Sequence, residues 1–138
     1  MAVRPFQNED GLLVIASDTL VEEFISGGAI VQGDWVKYDI SQTGADRLRY
    51  IVQGTASGLT FGVALEAASA AGQVVRVAVE GYVEGAKTDG TVASGDSLVS
   101  DAAGACLPYV AADTLPIIGV ALETDSGTTC DVKVFRNH

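Results

Sequence analysis

The pentapeptide GVALE occurs twice, at Gly62–Glu66 and at Gly119–Glu123, and the residues around it recur with it. Upstream of each copy stands Gly-Asp, with a second Asp five residues after the first: Asp34 and Asp39, then Asp96 and Asp101. Both segments continue with Gly-Ala (Gly44-Ala45, Gly104-Ala105) and with a Leu and a Tyr (Leu48 and Tyr50, Leu107 and Tyr109). After GVALE each has a Gly-containing turn and an alternating apolar run, Val75, Val77 and Val79 in one, Cys130, Val132 and Val134 in the other. One unit runs over about residues 27–81, the second over about 82–138. Two copies are too few for a repeat array, so the pattern points to pseudo-twofold symmetry within one β domain.

The local chemistry is that of strands. Val, Ile, Thr, Tyr and Phe alternate with small or polar residues in VVRVAVEGYV and CDVKVF. Sixteen glycines, many beside Asp, supply turns that need positive φ. Within GVALE, Val63 and Leu65 share one face, while Gly62, Ala64 and Glu66 share the other. Ser17–Gly28 carries a possible capping box, Thr19 with Glu22, and a Gly27-Gly28 stop. A short helix and a strand over Leu20–Ile25 are both compatible with it. EAASAAG (Glu66–Gly72) is a connection. The expected fold is all-β, a compact sandwich or barrel of short strands built from two similar halves. Residues 17–138 form the single β domain, and residues 1–16, which have no counterpart in the second unit, form an extended N-terminal arm. Arg4, Pro5 and Phe6 make that arm a docking element.

Charge excludes some functions. The net charge is −10 and the eight cations are scattered, whereas nucleic-acid binding needs them clustered. Hydrophobic residues make up 48% of the chain and charged ones only 19%, against about 25% in an average domain. That thin charged coat suits a surface partly covered by another subunit. No apolar run nears the roughly 20 residues of a membrane span, and LLVIA follows NED rather than a cationic flank, so a cytoplasmic product is expected. Cys106 and Cys130 are read as thiols.

Chemistry-bearing groups are sparse. The only histidine is the final residue, His138, which leaves no Ser-His-Asp or Cys-His arrangement. Neither CxxC nor HExxH is present, nor a phosphate loop or EF-hand loop. No catalytic, cofactor-binding or metal-binding residue is assigned. The equivalent carboxylates Glu66 and Glu123, or Asp34 and Asp96, would allow acid/base hydrolysis if symmetry brought them together; as turn and strand-end residues they have a simpler reading. Trp35 stands where the second unit has Ser97. It is either a core residue or a contact residue, at an interface or stacked on a sugar.

With these residues in place the chain resembles the bacteriophage capsid cement, or head decoration, proteins. The likeness lies in Gly33-Asp34, in Gly62–Glu66 and in the Gly72–Gly81 stretch with its V-x-V spacing. It covers Val31–Gly81, with Gly95–Phe135 as an echo. The resemblance implies a non-enzymatic structural protein of the virion, made in the host cytoplasm. It would bind the major capsid protein on the outer surface of the head as a homotrimer and stabilise the shell. No cofactor, nucleic acid or membrane is implied. The alternative is a glycan-binding β module, with Trp35 and the tyrosines as platforms.

Overall fold

The computed structural model describes residues 5–6, 11–57, 59–110 and 114–136. Among these the protein is all-β. The strands are β1 (Pro5–Phe6), β2 (Ile15–Ala16), β3 (Leu20–Ser26), β4 (Trp35–Tyr38), β5 (Tyr50–Gln53), β6 (Thr60–Ala64), β7 (Val74–Lys87), β8 (Ser97–Ser100), β9 (Cys106–Pro108), β10 (Gly119–Ala121) and β11 (Thr129–Val134). Two short 3-10 turns lie at Gly44–Leu48 and Ala102–Gly104.

Five strands close on themselves in the order β3-β5-β4-β6-β7, with β7 returning to β3. The β3–β5 pairing is parallel and the others in the ring are antiparallel. Five strands enclose no lumen. Phe24, Ile30, Val36, Ile51, Phe61, Val75, Val77 and Val79 fill the ring. Of the two readings of Ser17–Gly28, the strand is the one formed. The Thr19 hydroxyl, which would have capped a helix, donates to the Tyr82 carbonyl at 2.8 Å and accepts from the Ala16 amide. The β-favouring Val21, Phe24 and Ile25 then close the barrel against β7.

Strand β7 is fourteen residues long and serves two sheets. Its first half pairs with β3 and β6, its second with β11 and β2. Gly81 (φ 107°) and Gly85 (φ 88°) turn it between them. The second sheet continues β7-β11-β10-β8-β9. A second core lies between the outer side of the barrel and the inner side of this sheet. There Trp35, Val63, Leu65 and Ala78 meet Val83, Val92, Leu98, Cys106, Ile118, Val132 and Val134. GVALE at 62–66 thus does what its alternation predicts: Val63 and Leu65 face one core and Ala64 the other.

The same hydrogen bonds recur in both segments. Asp34 Oδ2 accepts from the Val31 amide and Asp96 Oδ2 from the Ala93 amide, both at 2.8 Å. Gly33 (φ 94°) donates to Ala64 O, and Gly95 (φ 91°) to Ala121 O. Ile30 exchanges two bonds with Ala68, and Val92 does so with Asp125. Val63 pairs with Ala78 and Val120 with Lys133. One expected correspondence is displaced. Asp39 N donates to Tyr50 O and Asp101 N to Ala105 O, so Tyr50 matches Ala105 rather than Tyr109. The loop after Asp101 is shorter, and its Gly-Ala follows a left-handed Ala103 (φ 57°).

The described part of the arm is not detached. Leu12, Leu13 and Ile15 pack on the second core, Leu13 N donates to Leu65 O at 3.0 Å, and Ala16 is buried. β1 adds two residues to β2, Pro5 opposite Ala16 and Phe6 opposite Ile15.

Candidate attachment surface

Arg4 lies outside the described residues. The backbone of Pro5 and Phe6 is held on the short β1–β2 ladder. Trp35 is wholly buried, which settles its two readings in favour of the core and gives a glycan no platform there. Its ring lies across Gly119: a Cβ added to that glycine would sit 3.2 Å from Trp35 Cη2. The indole Nε1 is buried with no hydrogen-bond partner among the described residues. Burial pushes the Cys106 thiol up to about 12, and both cysteines are free and buried.

The symmetric carboxylates are each engaged locally. Glu66 accepts from the Arg76 amide at 2.8 Å and from Arg76 Nε at 3.0 Å. The Arg76 side chain holds its carboxyl below the ordinary range. Glu123 accepts from the Asp131 amide at 3.1 Å. Asp34 and Asp96 close turns, and Asp34 is also bonded by Gln53 at 2.9 Å. Lys87 Nζ, 3.7 Å from the buried Asp34 Oδ1, donates to Ala103 O at 2.7 Å and so ties the barrel to the second half. Among the described residues no group of three His, Cys, Asp or Glu is arranged to hold a metal ion.

What the structure offers instead is apolar surface on the barrel. Ile40 is 78% exposed, Leu48 66% and Val74 60%. Ile40, Leu59, Tyr38 and the stem of Lys37 line a shallow groove. Tyr38 is fixed there by stacking on Phe61, ring centroids 4.3 Å apart, with Phe24 packed on Phe61 at 5.2 Å. Burial, then Glu22, raises the Tyr38 hydroxyl above its ordinary value. A second groove runs past Phe24, Leu48, Arg49 and Val74, with Glu22 and Glu23 beside it. Ile40 and Leu48 lie within the otherwise polar loop DISQTGADRL. Apolar residues in such a loop, with no strand to serve, are the signal by which sequence reasoning could have found this surface.

Residues 25–134 match the phage cement protein family. The chain belongs to that family. This cement-family chain is a structural protein of the phage head. Its fold is shared with a solved structure described as the crystal structure of the head fiber gp8.5 N base in bacteriophage phi29. The two are 16% identical with a TM-score of 0.60, the match covering 86% of this chain and 96% of the other. No curated protein matches the sequence.

Proposed function

We propose that the protein binds the outer surface of the phage capsid through the apolar barrel surface around Ile40 and Leu59, contacts the major capsid protein there, and reinforces the shell without catalysing a reaction. The observation that carries this reading is the cement-family match together with Ile40, Leu48, Leu59 and Val74 left uncovered on a barrel whose interior is otherwise filled. The net charge of −10 suits a position outside a DNA-filled shell. A homotrimer agrees with the low charged fraction and multiplies weak contacts through simultaneous engagement. The N-terminal arm, with Arg4, Pro5 and Phe6, adds a further contact, and synthesis is in the host cytoplasm. The matched turns and ladders of the two halves support an internal duplication over about residues 27–81 and 82–138.

The test is binding of purified protein to heads that lack it, comparing wild type with I40D/L59D. Loss of co-sedimentation in the variant, with an unchanged thermal melt, is expected. Undiminished binding would move the contact off this surface.

A further inference from the structure

Strand β3 closes the barrel with little of its length. It has seven residues, and its parallel ladder with β5 holds only the last two, Ile25 opposite Tyr50 and Ser26 opposite Ile51. Its other edge is paired with β7 from Leu20 to Ile25. Beside Leu20–Phe24 the chain leading into β5 is not a strand: it forms the 3-10 turn Gly44–Leu48, after which the Arg49 amide donates back to Asp46 O at 3.0 Å. A groove of about 360 Å³ opens there, past Phe24, Leu48, Arg49 and Val74.

The alternation of the backbone fixes which groups face that opening. Ser26 N donates to Gln73 O on the β7 side, whereas Ile25 N and Gly27 N donate to Arg49 O and Ile51 O on the β5 side. The bulge in the β3–β7 ladder falls between Leu20 and Val21, so the alternation runs unbroken from Val21 to Ile25. The N–H and C=O groups of Val21 and Glu23 therefore face the opening, and among the described residues no strand pairs with them there. Leu48 and Val74 stand beside the same opening with most of their surface uncovered. Unpaired main-chain groups next to uncovered apolar side chains are what one more strand would cover.

We propose that this stretch of β3 accepts an extended segment of another protein as an added strand, lying in the line of β5, and that the segment carries a lysine or arginine next to an apolar residue. Its main chain bonds the N–H and C=O groups of Val21 and Glu23, the mode by which a sheet edge takes up a peptide. Its apolar side chain covers Leu48 and Val74. Charge selects the occupant. Glu22 and Glu23 stand on the open strand of a chain whose net charge is −10, so the same edge of a second copy is repelled and a basic segment is drawn in. Arg49, the cation of the groove, is already paired with Asp46 at 3.7 Å. Backbone pairing supplies the affinity, and the two glutamates select which strand is taken. This inference concerns the β3 edge and does not rest on capsid attachment through Ile40 and Leu59.

The probe is the peptide acetyl-Lys-Val-Lys-Val-Lys-amide, titrated into the full chain and followed by NMR shifts and amide hydrogen exchange. The amides of Val21 and Glu23 should exchange fast in the free protein and roughly tenfold or more slowly once peptide saturates it. Glu23→Pro removes a donor on the open edge and no bond to β7, and should weaken binding roughly tenfold. Glu23→Gln drops the same charge but keeps the donor, and should weaken binding no more than about threefold. Should Glu23→Pro fail to fold, two peptides take its place, one N-methylated at its valines and one at its lysines. Methyl groups on the amides that face β3 should abolish binding, and those on the other set should leave it within about threefold. No binding by millimolar peptide, unchanged exchange at Val21 and Glu23, or shifts centred on Ile40 and Leu59 would each overturn the proposal. So would equal weakening by Glu23→Pro and Glu23→Gln, or equal binding of the two methylated peptides. A change of oligomeric state in Glu23→Pro would also overturn it, by making the edge an interface between copies.

Discussion

At Gly62 a Cβ would stand 2.6 Å from the Ala78 carbonyl, and at Gly119 2.6 Å from that of Lys133. Neither glycine has a positive φ, so the requirement is close approach of β6 to β7 and of β10 to β11. Gly62→Ala and Gly119→Ala should each cost about 1–3 kcal/mol through overpacking, read as a lower melting temperature. Gly28→Ala, where open space surrounds the position, is the control. The paired sites Glu66–Arg76 and Glu123–Asp131 should respond to acid in opposite directions. Glu66 has a lowered folded pKa, so its stabilisation is complete above the unfolded value, near 4.5, and is lost as pH falls through the folded one. Asp131 has a raised folded pKa, so its penalty is present at neutral pH and fades as pH falls through that value, above 3.8. Glu66→Gln should therefore lower the melting temperature near neutral pH and Asp131→Asn raise it, both effects shrinking in acid. A D131N gain that persisted unchanged in acid would contradict the assignment. The Gly-Asp turns were readable in sequence because their chemistry is local: the aspartate bonds an amide three residues back. Trp35 was not, because its burial depends on a second sheet that no local pattern specifies.

At the scale of elements, the N-terminal region supplies the core with Leu12, Leu13, Ile15 and Ala16. Of the described residues, removing Met1–Asn8 takes away the two of the short β1 ladder, and the thermal melt should stay within a few degrees of wild type. Removing residues 1–16 also takes away Leu12, Leu13, Ile15 and the buried Ala16. At about 0.8 kcal/mol per buried methylene this should collapse the cooperative transition. Similar melts for both truncations would show that the β2 contacts contribute little. The alternation of GVALE and VVRVAVEGYV made β6 and β7 readable. Leu20–Ser26 was ambiguous because a Thr–Glu spacing suits a cap, whereas the deciding interaction is the distant bond from Thr19 to Tyr82. The ring closure is equally non-local, since β3 meets β5 through Ile25 opposite Tyr50 and Ser26 opposite Ile51. The exposed Ile40 and Leu59 were not legible in the sequence, because they acquire meaning only once the barrel is filled without them.

At the scale of the molecule, the protein combines a filled barrel, a second sheet packed against it, and uncovered apolar groups on the barrel side. A trimer predicts a light-scattering mass at micromolar concentration of three times the 14.2 kDa chain, or the same stoichiometry on the head. A chain that stays monomeric in both settings would remove the trimer from the account. The central claim, attachment to the outside of the phage head by the barrel, is tested most directly by electron cryomicroscopy of heads lacking the protein, before and after its addition. The account predicts added density on the outer surface, with the Ile40–Leu59 groove against the shell, and none with I40D/L59D. Heads left bare by the wild-type protein, or density that meets the shell away from the barrel and survives I40D/L59D, would contradict it.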